Sequence, residues 1–293
     1  MEKDAFSYEI TDGCVTITRW KLEERVAVIP GQVDGCPVVS LGDYALSGGS
    51  YEKAELPPSL RKIGKYAFYN CFKLKSLKFF ASIEDVGAGA FTGCHKVKRL
   101  DVTVGPQGRS CLRDILMELT EEIAVDYHGE QEARLLFPEF YEEGVENTPA
   151  RILMTQVHGS GLYYRNCFEG GRLNFGEYDS RFGLARAQES ERFSLRLAMR
   201  RLFYPYRLEE RAGNVYREYV TEHLEAAGDY LVEQGDLSHL RCLSEGFLPE
   251  KGGQKALEAW IYRAQELEQT EILSYLMELR HRKYPVQRKI FEL

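Results

Sequence analysis

Three short segments near the start of the chain repeat one another, and this repetition limits the fold more than any other feature of the sequence. Their first residues lie 22 and 23 positions apart; the segments are Leu41-Gly-Asp-Tyr-Ala-Leu46, Ile63-Gly-Lys-Tyr-Ala-Phe68 and Val86-Gly-Ala-Gly-Ala-Phe91. A period of about 20 to 29 residues with fixed aliphatic positions is typical of a solenoid. One coil cannot bury its own apolar side, whereas stacked coils bury a continuous ladder of like residues. The repeats therefore predict a short stacked β-solenoid.

The repetition continues beyond these segments and indicates which side chains lie inside the coils. Three further pairs stand 23 positions apart, namely Cys71 and Cys94, Leu74 and Val97, and Leu77 and Leu100. We expect the two cysteines to form a ladder of buried thiols, because free cysteine is among the most buried residue types. A disulfide and a metal site are the alternatives. No second Cys/His pair stands at ligand spacing beside Cys94-His95, so we expect no metal.

The motif Ile-Gly-x-x-Ala-Phe-x-x-Cys-x-x-Leu, complete from Ile63 and nearly so from Val86, resembles the BspA-like leucine-rich repeats of bacterial proteins. The copy from Leu41 departs after Leu46. The resemblance covers about residues 6–104 and includes an entry hairpin around Asp12-Gly13. It implies a leucine-rich-repeat fold that binds a ligand or a protein rather than one that performs catalysis. Many members are secreted surface proteins, so a cell-surface adhesin is one alternative function.

The chain beyond the repeats reads as mostly helical. The spacing of Leu112, Ile115, Leu116 and Leu119 predicts a helix from about Ser110 to Glu122 that caps the solenoid. Glycine and proline in Gly105–Arg109 suit a linker, and the net charge changes from +1 in residues 1–104 to −8 in the remainder. A short strand over Glu122–Tyr127 is the one exception that we expect before residue 212.

The last eighty residues resemble a second kind of repeat. Gly235–Leu243 and Glu268–Leu276 superpose with a shift of 33 residues, and a helix-pair period of 33 resembles ankyrin repeats. The Thr-Pro-Leu-His turn of that family is absent, and an ordinary helical bundle is the alternative. The predicted fold class is thus α+β, a leucine-rich-repeat β-solenoid followed by an all-helical region with ankyrin-like helix pairs. Its predicted domains are the repeat domain 1–104, the helical cap and middle region 105–212, and the ankyrin-like region 213–293.

Six lysines of the repeat region form the candidate partner-binding surface. They are Lys62, Lys73, Lys75, Lys78, Lys96 and Lys98. No acidic residue interrupts the stretch from Arg61 to Ile83, and lysines at equal repeat positions form two columns of like charge. An acidic partner, a phosphate or the acidic remainder of the chain would compensate this repulsion. The alternative is a solvated face that protects a strand edge from pairing.

The segment from His158 to Arg165 is the most site-like stretch outside the repeats. Glycines flank a serine in His158-Gly-Ser-Gly-Leu-Tyr-Tyr-Arg165, which could bring backbone N–H groups near an anion. The favoured interpretation is a plain joint between helices, and the alternative is a candidate ligand loop formed by His158, Ser160, Tyr163, Tyr164 and Arg165. The segment has neither the phosphate-loop pattern nor the spacing of a nucleophile elbow.

These features favour a non-enzymatic, intracellular scaffold or adaptor that binds a partner protein through its repeat surfaces. The chain carries 45 acidic against 38 basic residues, which disfavours nucleic acid as a partner. No apolar run reaches the length of a membrane span, and the N-terminus as written lacks the apolar core of a secretory signal. We expect a cytoplasmic monomer without cofactor, metal or catalytic residue. The alternatives are an enzyme or ligand sensor with its site around residues 158–165, and a surface adhesin.

Overall fold

The computed structural model describes residues 5–147 and 152–285 of the 293-residue chain. These residues fold into two compact units. The first unit is drawn from Met1–Ser190 and Tyr206–Leu208, and the second from Glu191–Pro205 and Glu209–Leu293. The secondary structure of each unit follows from its own hydrophobic pattern.

The repeat region forms ten strands of the first unit. They are β1 (Phe6–Thr11), β2 (Cys14–Trp20), β3 (Val26–Val28), β4 (Gln32–Val33), β5 (Cys36–Leu41), β6 (Lys53–Glu55), β7 (Lys62–Ile63), β8 (Ser76–Phe80), β9 (Asp85–Val86) and β10 (Arg99–Thr103). Asp12 and Gly13 join β1 to β2 with positive φ angles of 52° and 72°, as a tight hairpin turn requires. The predicted entry hairpin is therefore confirmed.

Two sheets run along the solenoid, and the strands of successive coils pair in parallel within each. One sheet has the order β1-β2-β5-β7-β9, with β4 paired to β5, and the other contains β10-β8-β6-β3. Leu77 of β8 stands beside Leu100 of β10 in register, which matches their 23-residue spacing. The predicted β-solenoid is confirmed.

Stacked side chains fill the interior of the coils. The rings of Phe68 and Phe91 stack with centroids 5.0 Å apart and an interplanar angle of 7°. Cys71 and Cys94 are free, buried thiols, and each donates its S–H to a carbonyl oxygen at 3.1 Å. A Cβ on Gly64 would lie 2.5 Å from the carbonyl carbon of Gly42, so only glycine permits this approach of neighbouring coils.

The cap helix is present, but the sheet continues past it. Helix α1 (Leu112–Glu118) buries Leu112, Ile115 and Leu116. Strand β11 (Ile123–His128) then pairs in parallel with β10, and β12 (Glu132–Phe137) pairs antiparallel with β11. The predicted short strand is confirmed. Gly105–Arg109 is not a linker, because strands on both of its sides belong to one sheet.

The prediction of an all-helical middle region is corrected by these strands and by two hairpins. The hairpins are β13 (Tyr141–Asn147) with β14 (Ile152–His158), and β15 (Phe168–Glu169) with β16 (Arg172–Leu173). The physical reason is burial of β12 on both faces, from Leu135 to Phe137, which removes the alternation that distinguishes a strand from a helix. Helices predominate only from residue 161 onward.

Helices occupy the remainder of the described chain. They are α2 (Gly161–Arg165), α3 (Phe175–Ser180), α4 (Phe182–Gln188), α5 (Glu191–Phe203), α6 (Glu210–Glu222), α7 (Leu224–Glu233), α8 (Leu237–Gly246), α9 (Gln254–Glu266) and α10 (Thr270–Lys283). A solenoid followed by a helical region is the predicted α+β class, which is confirmed.

Helix pairs pack within the second unit. The indole N–H of Trp260 in α9 donates to the carbonyl oxygen of Glu225 in α7 at 2.9 Å, and the hydroxyls of Ser244 in α8 and Tyr275 in α10 lie 2.5 Å apart. The two helix pairs thus contact each other at equivalent helices. Their ankyrin-like character stays a prediction.

Candidate protein-interaction surface

The six candidate lysines lie on the surface of the solenoid, and carboxylates of neighbouring coils accompany three of them. Lys62 Nζ lies 3.1 Å from Asp85 Oδ2, and Lys75 Nζ lies 3.1 Å from Glu52 Oε2. Lys78 stands in register between Glu55 and Asp101. The solenoid therefore compensates Lys62 and Lys75 itself, whereas the two carboxylates beside Lys78 already pair with Lys53 and His128. The expectation that a partner or the acidic part of the chain must do so is corrected for Lys62 and Lys75.

The remaining three lysines keep their charges free. Lys73, Lys96 and Lys98 are exposed, and no ion pair involves them within residues 5–147 and 152–285. The hydrogen bond from Lys75, followed by that from Arg25, holds the pKa of Glu52 below its usual value. Together with Lys78, four of the six lysines thus have no ion pair among the described residues.

An aromatic cluster that the sequence analysis did not identify lies on the same solenoid. The rings of Tyr44 and Tyr66 stack with centroids 5.2 Å apart and an interplanar angle of 17°. Tyr69 meets Tyr66 edge-on at 5.8 Å. Tyr44 is 51% exposed and Tyr69 is 37% exposed. We call Tyr44, Tyr66 and Tyr69 the tyrosine cluster.

Two members of the tyrosine cluster occupy a backbone conformation that disfavours tyrosine. Tyr44 and Tyr66 have φ angles of 58° and 54°, and Gly89, at the same repeat position of the next coil, has 67°. Glycine adopts this region freely, whereas a bulky residue there is strained. The ring of Tyr66 covers Gly89, since a Cβ on that glycine would lie 2.4 Å from Tyr66 Cε1. Tyrosine at both positions therefore costs backbone energy while it places a ring on the surface.

One short segment of the second coil joins the aromatic and basic features. Lys65 and Lys73 are exposed at its ends, and Phe72 is 57% exposed between them. We define the interaction surface as the tyrosine cluster together with Lys65, Phe72 and Lys73. The signal that could have revealed it is the Tyr-Ala pair that Leu41–Leu46 and Ile63–Phe68 share at one repeat position.

The candidate ligand loop forms a packed joint around Arg165. The side chains of Ser160, Tyr164 and Arg165 are fully buried. The Arg165 guanidinium donates hydrogen bonds to carbonyl oxygens of three separate segments, at Leu116, Leu119 and Glu121, at Pro138, and at Gly161. Its plane lies 4.9 Å from the Phe140 ring centroid, and burial lowers the pKa of Arg165 to about 10. The geometry assigns Arg165 a structural role.

The other loop residues are divided between this joint and the surface. Ser160 donates its backbone N–H and its hydroxyl to Glu189 Oε1 at 2.8 and 2.6 Å. His158 Nε2 lies 3.0 Å from Glu143 Oε2, and its ring stacks on Tyr141. Tyr163 is 47% exposed. The structure thus does not bring the five residues together around one open space.

The part of the chain that the structure describes offers neither a metal cluster nor a membrane span. Among the described residues, no three His, Cys, Asp or Glu side chains cluster in a way that could hold a metal ion. No helix in the same ranges combines the length and apolar character of a membrane span.

Comparison with known proteins identifies the solenoid. Residues 37–109 match a family model for the BspA type leucine rich repeat region, in six copies. No curated protein matches the chain. Solved structures that share similarity include a leucine rich cell surface protein from Faecalibacterium prausnitzii, with 22% identity, 44% of this chain and 32% of that chain covered, and a TM-score of 0.31. The chain thus spans about a third of that protein.

Two further solved structures match over a similar share of this chain. The T. pallidum leucine rich repeat protein has 21% identity, with 44% of this chain and 83% of that chain covered and a TM-score of 0.26. A leucine-rich repeat protein from Bacteroides capillosus has 20% identity, with 44% and 97% covered and a TM-score of 0.31.

Proposed function

We propose that this chain, whose residues 37–109 form a BspA-type leucine-rich repeat region, is a non-enzymatic module that binds a partner protein. Leucine-rich repeat proteins generally mediate protein–protein interaction, and stacked repeats present an extended surface suited to that role. The proposal places the contact at the interaction surface and assigns no catalytic role to the chain.

One observation carries this proposal, namely that two strained residues, the exposed Tyr44 and the half-buried Tyr66, form a stacked aromatic pair at the surface. Strained backbone persists where the surrounding structure enforces it, and it concentrates at functional sites. Tyrosine supplies a large, rigid contact area at low entropic cost, and aromatic residues are enriched at interfaces. The strain at Tyr44 and Tyr66 is therefore best explained by a need for their rings on the surface.

The charges beside the cluster favour an acidic partner segment. Lys65 and Lys73 flank the aromatic rings without an ion pair in the part of the chain that the structure describes. Exposed charges of one sign attract the opposite sign over about 10 Å at 0.1 M salt, and they raise the association rate more than the affinity. We infer a partner that combines carboxylates with an apolar or aromatic contact.

An affinity capture with the full chain tests the proposal. The bait is compared with a Tyr44→Asn/Tyr66→Asn variant and with Tyr163→Asn, which removes an exposed tyrosine outside the interaction surface. A protein captured in stoichiometric amount by the parent chain and by Tyr163→Asn, but lost in the double variant, supports the proposal. Capture of the same protein by the double variant contradicts the proposal.

We further propose that the protein acts as a monomer in the cytoplasm. A second candidate is a surface adhesin, which is favoured by the BspA-type repeat because many proteins with this repeat are secreted. The interaction surface would serve either function, so location distinguishes them. Protease treatment of intact cells, followed by detection of the protein, supports the adhesin if the protein is degraded and the cytoplasmic module if it is protected.

A further inference from the structure

A cleft of about 790 Å³ lies within the first unit, away from the residues of the interaction surface. Its walls are the loop 81–84 of the solenoid, the segment 105–114 and the turn at Gly170–Gly171. Sites for small molecules commonly enclose about 300 to 1,000 Å³. The cleft therefore has room for an organic molecule or for the end of a peptide.

Two arginines line this cleft without a carboxylate partner. Arg109 is exposed, and within the described residues its guanidinium makes no hydrogen bond or ion pair. Arg113 is half-buried, and its Nη2 donates only to the amide oxygen of Asn166, at 3.3 Å. Arginine presents a planar fork of donors that matches a carboxylate or phosphate. Two such groups at one cleft indicate a site for an oxyanion.

The acidic residues of the cleft limit the charge of that oxyanion. Glu84 is compensated from outside, because its Oε1 lies 2.8 Å from Arg61 Nη1. Asp114 also lines the cleft, and no ion pair involves it in the described ranges. Arg109, Arg113 and Asp114 together leave one positive charge. A carboxylate carries one negative charge, whereas a phosphate monoester carries about 1.5 to 2 at pH 7. Charge balance favours a carboxylate.

The walls of the cleft are held in place before any ligand arrives. The backbone N–H of Ser110 donates to the carbonyl oxygen of Gly171 at 2.9 Å. The backbone N–H of Gly105 donates to the backbone carbonyl oxygen of Arg109 at 3.0 Å. A preorganised site loses less entropy on binding.

We propose that this cleft binds the carboxylate group of a small organic acid or of a peptide C-terminus. Arg109 and Arg113 hold the carboxylate oxygens, and Asp114 reduces the net positive charge of the cleft to one. This binding is independent of the proposed partner at the interaction surface.

Titration of the full chain at low ionic strength, followed by the arginine Nε–Hε signals in NMR spectra, tests the assignment. The probes are acetyl-Gly-Gly-Leu with a free C-terminus, the same peptide as its C-terminal amide, butyrate, and inorganic phosphate. We expect saturable shifts with the free peptide or with butyrate, weaker binding of phosphate, and none of the amide. Tighter binding of the peptide than of butyrate identifies a peptide end as the ligand, and the reverse identifies a small acid.

Variants show whether the cleft is responsible. Arg109→Gln/Arg113→Gln should raise the Kd for the better carboxylate probe at least tenfold, while Arg19→Gln, which alters an exposed arginine outside the cleft, should leave it unchanged. Circular dichroism confirms that each variant is folded. The proposal is overturned if the amide binds as well as the acid, if phosphate binds more tightly, if no probe gives a saturable shift, or if the double variant binds like the parent chain.

Discussion

The hydroxyl of Tyr178 accepts a hydrogen bond from the backbone N–H of Leu136 at 2.9 Å and donates one to the carbonyl oxygen of the same residue at 2.8 Å. Leu136 lies in β12, which is the edge strand of its sheet. An unpaired edge is a template for pairing with another chain. One side chain thus satisfies both free backbone groups at a buried position of that edge.

Removal of this hydroxyl should destabilise the protein. Tyr178→Phe leaves a buried N–H and a buried C=O without partners, and each such group costs about 1 to 3 kcal/mol. The control is Tyr164→Phe. The ring of Tyr164 contacts Tyr178 at 4.9 Å, and its own buried hydroxyl has no hydrogen-bond partner in the described residues. We expect urea unfolding to show a loss for Tyr178→Phe and none for Tyr164→Phe. Equal losses would contradict the edge-capping role.

Arg165 should be essential for stability and dispensable for ligand binding. Arg165→Met leaves the carbonyl oxygens of five residues without their charged donor, so we expect a loss of about 3 kcal/mol or more in the free energy of unfolding. Denaturant titration measures this loss. A variant as stable as the parent chain would contradict the structural role and would return the segment 158–165 to consideration as a ligand loop.

The sequence predicts the solenoid well because its information is periodic. Residues such as Phe68 and Phe91 occupy equal places in successive coils, so one spacing determines many contacts. Arg165 had no such signal. Its partners at Leu116 and Leu119 lie more than forty residues away in the chain, and only the folded backbone brings their carbonyl oxygens together. The residue types next to Arg165 give no sign of these distant partners.

The ion pair between Glu52 and Lys75 has a periodic signal in the sequence. Glu52 stands 23 residues before Lys75 and therefore at the equivalent place of the preceding coil, where the structure finds their ion pair. A search of single segments for charge runs does not reveal such a pair, whereas alignment of the coils does. Tyr44 and Tyr66 are also one repeat apart. The positive φ angles that indicate a functional role for them cannot be read from the residue types.

Two helical glycines should respond differently to substitution by alanine, because Gly228 of α7 packs against α9 whereas Gly183 of α4 faces open space. A Cβ on Gly228 would lie 1.9 Å from Cε2 of the fully buried Trp260, whereas a Cβ on Gly183 meets nothing within 4 Å. We expect Gly228→Ala to cost about 1 to 3 kcal/mol through overpacking, despite the better helix propensity of alanine. Gly183→Ala should be neutral or stabilising by up to about 1 kcal/mol. Thermal unfolding of both variants measures this, and a neutral Gly228→Ala would contradict the close contact.

Because Tyr44 and Tyr66 are strained, their replacement by asparagine should reduce partner binding with little effect on the free energy of unfolding. Asparagine tolerates positive φ, so Tyr44→Asn/Tyr66→Asn should recover about 1 kcal/mol of backbone strain at each site. The lost ring stacking costs about 0.5 to 1.5 kcal/mol. These effects partly offset each other, and we expect the unfolding free energy to change by no more than about 1.5 kcal/mol while partner capture falls. A large loss of stability in chemical denaturation would show that the rings serve the fold instead.

Charge reversal at the lysines should distinguish free from compensated charges. Lys75→Glu removes an ion pair and places two carboxylates at adjacent positions, so it should destabilise by about 0.2 to 1 kcal/mol. Lys73→Glu, Lys96→Glu and Lys98→Glu alter exposed charges without ion pairs in the described ranges and should change stability by less than about 0.5 kcal/mol.

Lys73→Glu should nevertheless slow association with an acidic partner, with an effect that shrinks as salt rises. Association rates for Lys73→Glu and Lys98→Glu, measured at two salt concentrations, test this. Equal slowing by both would show that the partner senses the net charge of the solenoid and not the interaction surface.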